Sequence, residues 1–208
     1  MSLVRWIFGC LRFKCCLISA FWLVQTNLAF AEPNSIAAVK SVRLISVLPQ
    51  PNLNLQPGWS LSAEFDIFLG FKLQEAAERG LPLNFSVDFQ LIQQRWYWSD
   101  ARVVTKSFPI SLSYHALTRT YRLQHAEDVL VFSSLNDAIA RMSVLSNWLV
   151  IRKDQIEMGK KYLAKVRFSL NLSEMPKPFQ VNALTNSQWD LSSGWVQFDF
   201  LPNNEELG

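Results

Sequence analysis

The sequence predicts a mainly β protein, an antiparallel β-sandwich of the immunoglobulin-like type with about seven or eight strands and two short helices. Two observations support this fold class. Apolar and polar residues alternate along several segments, which is the pattern of strands with one buried and one solvated face. Only two segments have helical spacing, and no strand–helix–strand rhythm recurs along the 208 residues. A parallel sheet with crossover helices is therefore disfavoured.

The clearest alternation in the first half of the chain lies on residues 61–69 and 83–91, which carry apolar side chains at every second position. Between them, residues 71–79 have helical spacing. Gly80 then offers the left-handed conformation that commonly ends a helix. An earlier extended run, residues 39–48, stands in a loose segment rich in proline. We predict two half-buried strands joined by a helix, preceded by one further strand.

Further strands and a second helix are predicted in the rest of the chain. The strands are expected over residues 104–114, 117–123, 129–132, 162–172 and 196–200. Pro109 lacks an N–H group and so predicts an edge or a bulge in its strand. Ser134 and Asp137 resemble a capping box before a helix over 135–145. Pro176 and Pro178 predict an extended, semi-rigid crossing.

Residues 1–31 have the features of a secretory signal peptide. Three cations and no anions lie within residues 1–14, and a mostly apolar run extends from Cys15 to Phe30. The sequence Ala29-Phe30-Ala31 is a small-x-small peptidase site, which predicts cleavage after Ala31 and a periplasmic mature protein. A retained anchor is the alternative, although residues 15–24, the best apolar stretch, are about half the roughly 20 residues of a spanning helix.

The remaining chain is predicted to form one domain. Residues 32–58 are a loose N-terminal segment that contains the first strand, residues 59–201 complete the β-sandwich, and residues 202–208 are a flexible tail. Three of the 20 Lys and Arg residues lie in the signal segment, so 17 remain against 17 Asp and Glu. A neutral chain without a basic run excludes nucleic acid as a partner. All three cysteines also lie in that segment, which excludes disulfides and cysteine-based metal sites from the mature protein.

Few residues suggest catalysis, and no cofactor or metal site is predicted. His115 and His125, the only histidines, lack the spacing of a ligand pair. Glu64 and Asp66 share one strand face, where a carboxylate pair could perform acid–base chemistry. We interpret this face as solvated. The alternative function is a hydrolase of envelope glycans that uses Glu64, Asp66 or another carboxylate pair.

The candidate residues for ligand or partner binding are mostly aromatic. They are Arg95, Trp96, Trp98, Trp189 and Trp195. If the strand over residues 83–91 continues without a bulge, Trp96 and Trp98 point to solvent, where they would form a recognition surface for a sugar or a protein. A bulge near residues 93–94 would instead bury them. In the alternative interpretation, these rings pack a loop over one end of the sandwich.

Four motifs together resemble a known family. They are Arg-Trp-Tyr-Trp at 95–98, Leu-Thr-Arg-Thr-Tyr-Arg-Leu at 117–123, Pro-Lys-Pro-Phe-Gln-Val-Asn-Ala-Leu at 176–184, and Trp-x-Leu-Ser-Ser-x-Trp at 189–195. The chain resembles, over residues 40–201, bacterial exported proteins of unknown function that are sometimes labelled proline-rich signal peptide protein. The resemblance implies no catalytic residues. It implies a gene that lies near the gene of a nitrogen-regulation-type sensor kinase, and this neighbourhood makes an accessory role in envelope sensing conceivable.

These observations predict an exported, noncatalytic binding or interaction domain of the bacterial cell envelope. Its expected partner is an envelope protein or a glycan. Contact with the membrane is expected only through an uncleaved signal segment.

Overall fold

The structure is a computed structural model, and it describes residues 34–48, 57–95, 101–125 and 128–203. The strands are β1 (Ile36–Val47), β2 (Gly58–Phe68), β3 (Leu83–Gln93), β4 (Ala101–His115), β5 (Thr120–His125), β6 (Asp128–Phe132), β7 (Val144–Arg152), β8 (Tyr162–Leu170) and β9 (Val196–Phe200). The helices are α1 (Phe71–Glu78), α2 (Leu135–Met142) and α3 (Lys177–Thr185). Within these residues the chain is mainly β, as the alternation predicted.

Two antiparallel sheets form the domain. The first contains β1, β2 and β7 in that order, and the second has the order β6-β5-β4-β3-β8-β9. The central strands β2 and β3 therefore each pair with one strand close in sequence and one far away. The antiparallel β-sandwich predicted from the sequence is confirmed.

The two sheets share one hydrophobic core, which aromatic side chains hold together. The ring centroid of Phe168, on β8, lies 5.2 Å from that of Phe65 on β2 and 5.6 Å from that of Phe85 on β3. Trp59 on β2 meets Phe200 on β9 edge to face, with centroids 5.5 Å apart. Offset or edge-on contacts of this kind are the favoured aromatic geometries. Burial alternates along β3 and β8, which confirms the predicted inward faces of these strands.

The first two helices begin where the sequence predicted them, but α2 ends at Met142 rather than at residue 145, because β7 already begins at Val144. Gly80 follows α1 with a φ of 84°, the left-handed region that glycine adopts without a steric penalty. At α2, the Oγ atom of Ser134 accepts a hydrogen bond from the backbone N–H of Asp137 at 3.1 Å. This bond satisfies one of the N–H groups that a helix start leaves unpaired.

The third helix contradicts the sequence-based expectation. Residues 177–185 form α3 rather than an extended crossing, and Pro178 lies in its first turn. Proline is favourable there because the first turn does not need its missing N–H, and its fixed φ already suits the helix. The pair of prolines thus begins a helix.

Three details of the strands also differ from the predictions. Leu117 lies in the turn between β4 and β5 and is 92% exposed, so β5 begins later than expected. Pro109 lies within β4, which is flanked by β3 and β5, but pairing with β5 begins only at Ile110. Within the described residues, Pro109 therefore has a paired strand on one side only, although residues 110–112 of β4 are paired on both sides. Strand β7 was not predicted; its pairing with β2 is irregular at two places, and Asn147 has a φ of 56°.

Three further predictions concern the predicted tail, the membrane and the signal peptide. Pro202, the first residue of the predicted tail, is buried, and its carbonyl accepts a hydrogen bond from the N–H of Gly159 at 2.9 Å. Across the four described ranges, every helix is too short or too polar to span a membrane. The predicted signal peptide, residues 1–31, lies outside the described residues.

Candidate functional site

A cavity of about 600 Å³ opens beside α1. Lys72 and Glu75 of α1 form one wall together with Arg79, the C-cap of this helix, and Leu81 and Pro82 continue the wall toward β3. Phe179 of α3, Asn186 and Trp189 form the opposite wall. We call this space the end cavity. Its volume lies within the range of about 300–1,000 Å³ that is typical of small-molecule sites.

The α1 wall follows from the amphipathic pattern of the helix. Leu73, Ala76 and Ala77 are buried against the core. Lys72, Glu75 and Arg79 are spaced by three and four residues, which places them along a different side of the helix. The sequence therefore fixes an apolar face inward and leaves a charged face at the cavity.

A buried serine joins the two walls. The Oγ atom of Ser35, just before β1, accepts a hydrogen bond from the N–H of Gly70 at 2.9 Å and donates to the carbonyl of Gln188 at 3.2 Å. Gly70 is the N-cap of α1, and Gln188 lies in the 3-10 turn Ser187–Trp189. Buried polar groups that are satisfied in this way hold their elements in one arrangement. The cavity is therefore preformed.

Aromatic packing and turn chemistry shape the second wall. The ring centroids of Trp189 and Phe179 lie 5.6 Å apart with an interplanar angle of 58°. The side chain of Asn186 accepts a hydrogen bond from the N–H of Gln188 at 2.9 Å, which stabilises the start of the 3-10 turn. Gln180 donates from Nε2 to the carbonyl of Met175 at 2.7 Å, which attaches α3 to the preceding segment.

Charges at the rim are partly compensated. Arg79 Nη2 lies 2.6 Å from Glu75 Oε1, and Lys72 Nζ lies 3.8 Å from Glu75 Oε2. Two cations and one anion leave the lining with a net positive charge. The other wall is aromatic, from Phe179 and Trp189, and the lining residues include no histidine, serine or cysteine. Such an arrangement suits binding of an apolar group that carries a negative charge.

The candidate residues from the sequence fall in different places. Trp189 is buried in the wall of the end cavity, whereas Trp195 is half-buried beneath Arg167, whose guanidinium carbon lies 4.6 Å from the indole centroid. Arg95 is exposed just after the end of β3. Trp96 and Trp98 lie outside the described residues. The structure thus does not group Trp189 with Trp195 on one surface.

The parity argument for Trp96 and Trp98 does not extend far enough. Strand β3 ends at Gln93, and its pairing with β4 shifts register between Leu91 and Ile92. Ile92 is buried although it has the parity of the polar face. The register shift lies close to the place where a bulge was considered, and regular alternation does not continue to the end of the described segment at Arg95. Whether Trp96 and Trp98 are exposed or buried stays a prediction.

The predicted carboxylate pair is a poor catalytic arrangement. Glu64 Oε1 accepts a hydrogen bond from Lys40 Nζ at 3.0 Å, and this bond raises the pKa of Lys40. Asp66 is exposed on the same outer face of β2. Two successive residues on one face of one strand do not face each other across a substrate, as the carboxylates of a glycosidase do.

The two histidines are also separate. His115 Nδ1 lies 3.0 Å from Thr118 Oγ1, in the turn after β4, whereas the ring of His125 lies 5.8 Å from that of Phe108. Within the described ranges, no three His, Cys, Asp or Glu residues are close enough together to hold a metal ion.

Comparison with known proteins places the chain in one family. A family model described as "Domain of unknown function (DUF4390)" matches residues 53–199. The chain belongs to this family. No curated protein and no solved structure matches it. The sequence resemblance to a family without an assigned activity is thus confirmed at the level of the DUF4390 domain.

The DUF4390 match includes every residue that lines the end cavity, whereas Ser35 precedes it. Sequence analysis identified Trp189 but missed Lys72, Arg79 and Phe179. The charged face of α1 could have been found from the sequence, because Lys72 and Arg79 both lie within the predicted helix over residues 71–79. The contribution of Phe179 was not visible, because its position depends on α3.

Proposed function

We propose that this DUF4390 protein is an exported, noncatalytic binding or interaction domain of the bacterial cell envelope, and that the end cavity is its binding site. The observation that supports this function is the preformed cavity, with Trp189 and Phe179 on one wall and Lys72 and Arg79 on the other. Concave sites with an aromatic lining and a few fixed charges are typical of ligand binding.

Export is supported by the N-terminal sequence. The cationic start, the short apolar run and the Ala29-Phe30-Ala31 site together favour cleavage after Ala31 and release into the periplasm. N-terminal sequencing of the protein from the envelope fraction tests this proposal. A chain that begins at Glu32 supports it, whereas an intact chain in the inner membrane would identify residues 1–31 as an anchor.

The partner that we propose is an envelope protein or a glycan. More specifically, we propose that the protein acts as an accessory to an envelope sensor kinase. Its support is the family resemblance rather than a contact in the domain. Co-purification with the sensor kinase, with and without substitutions at the end cavity, tests it. Loss of the kinase from the cavity variant alone is the expected result.

A photo-crosslinking amino acid at Arg79 tests the cavity directly in living cells. Arg79 is exposed at the cavity rim, and Arg102, exposed on β4 away from the cavity, is the matched control position. We expect an adduct from position 79 and none from position 102, and mass spectrometry of the adduct identifies a protein, a glycan or a small molecule.

Two further substitutions make this experiment specific. Pro82 is exposed and lines the cavity, so Pro82→Trp should obstruct it; Glu78 is exposed on α1 but does not line it. The adduct from position 79 should disappear with Pro82→Trp and persist with Glu78→Trp. Equal adducts in both backgrounds would show that the end cavity is not the binding site.

A further inference from the structure

A second recess lies on the outer face of the six-stranded sheet. It has a volume of about 450 Å³ and shares no lining residue with the end cavity. Four hydroxyl side chains line it, from Ser86 on β3, Ser107 on β4, Ser169 on β8 and Ser192. We call it the serine groove. Small side chains on three neighbouring strands leave this part of the sheet face low, and the segments around residues 171–174 and 190–192 stand beside it.

A fixed set of polar groups lies in the groove. Asp88 accepts a hydrogen bond from Ser107 Oγ at 2.9 Å and one from Arg167 Nη2 at 2.7 Å. These three residues are direct cross-strand neighbours in the register of β4, β3 and β8. The guanidinium of Arg167 also stacks on Trp195. Donors and acceptors are therefore held in place before any ligand arrives, which reduces the entropic cost of binding.

The Arg167–Asp88 pair is incompletely satisfied as a structural ion pair. Arg167 Nε is buried and has no hydrogen-bond partner among the described residues. Unsatisfied buried donors are uncommon in folded proteins and call for an explanation, of which a functional role is one. A pair that only stabilised the sheet would gain from satisfying this donor as well.

The charges of the groove restrict the class of ligand. Asp88, Glu174 and Asp190 supply three carboxylates, and Arg167 supplies the one cation. This excess of negative charge disfavours phosphates, sulfates and uronic acids. The carboxylates are also not grouped closely enough for a divalent metal, since no such cluster occurs in the described part of the chain. A ligand that carries many hydroxyl groups complements these side chains, because each hydroxyl can both donate and accept a hydrogen bond.

We propose that the serine groove binds a neutral or amino sugar of an oligosaccharide. Carboxylate and guanidinium groups make charge-assisted hydrogen bonds with sugar hydroxyls, and the serines are small enough to let a ring approach the sheet. This site goes beyond the function proposed for the end cavity, because it takes a ligand of different charge at a different place. Each site can be tested by substitutions that do not touch the other.

The test uses protein purified from cells that express the full chain. Binding to an array of neutral, amino and acidic oligosaccharides identifies the best probe, and calorimetry with that probe gives the dissociation constant. Ser107→Trp should obstruct the groove, since Ser107 is exposed and lines it. Thr105→Trp is the matched control, because Thr105 lies on the same face of β4, is exposed, and does not line the groove.

We expect neutral or amino sugars to bind, Ser107→Trp to weaken binding by at least about tenfold, and Thr105→Trp to change it by less than about twofold. Arg167→Lys keeps the positive charge but loses the planar fork, so it should also weaken binding by about tenfold, and it decides the question if Ser107→Trp does not fold. The proposal is overturned if no sugar binds, if acidic sugars bind best, or if the groove variants bind as well as Thr105→Trp.

Discussion

Replacing Trp189 with alanine tests whether the wall of the end cavity is part of the folded core. Trp189 is 7% exposed and contacts Phe179. Truncation of a buried tryptophan costs about 3–5 kcal/mol in the free energy of unfolding. We expect about 3 kcal/mol, the lower end, because one side of the ring already borders an open cavity and water can fill the space that is left.

Urea denaturation followed by circular dichroism measures this loss. For an m-value of about 2 kcal/mol/M, a loss of 3 kcal/mol lowers the midpoint by about 1.5 M urea. The matched control is Trp195→Ala, which removes a half-buried ring whose described partner is Arg167. Its expected cost is about 1–1.5 kcal/mol, from partial burial and one cation–π contact. Equal midpoints for the two variants would refute the reasoning, because they would show that Trp189 is no more buried than Trp195.

Three further predictions, two of them with a second variant for comparison, test the sandwich. Phe168→Ala should cost about 4–5 kcal/mol in unfolding free energy, whereas Phe71→Ala, at a ring 52% exposed, should cost less than about 1 kcal/mol; similar urea midpoints would show that the sheets do not meet at Phe168. Gly58→Ala places a Cβ atom against the backbone carbonyl oxygen of Ile151, so a loss of at least about 2–3 kcal/mol is expected, and thermal unfolding at the wild-type temperature would contradict the register of β2 and β7. Ser134→Ala removes the N-cap of α2 and should cost about 1 kcal/mol, which Ser134→Asn should largely restore in the same assay.

The strands were predictable where burial differs between the two faces of a sheet. Along β3, every second residue from Leu83 to Leu91 is buried, and the period of two was visible in the sequence. Along β7 it was not visible, because the strand is irregularly paired and Asn147 adopts a positive φ. Irregular pairing breaks the link between sequence position and face.

The site was less predictable than the fold, because it depends on tertiary contacts. Trp189 was a candidate from the sequence because it is aromatic. Its partner Phe179 lies beside it only because residues 177–185 form α3. The prolines before Phe179 are compatible with an extended segment and with a helix start, and local sequence does not choose between them. The Asp88–Arg167 pair likewise joins residues 79 positions apart, which no local pattern indicates.

The strand order determines when, during synthesis, the domain can form. Strand β2 needs β7 as its second neighbour, and β3 needs β8, whose last residue is Leu170. A chain that has not yet reached β8 therefore lacks a central partner of the larger sheet and exposes the apolar faces of both sheets. Closing such long loops is entropically costly, and folds dominated by distant pairings form slowly, in milliseconds to seconds. The domain therefore reaches its folded state only after most of its chain has been synthesised.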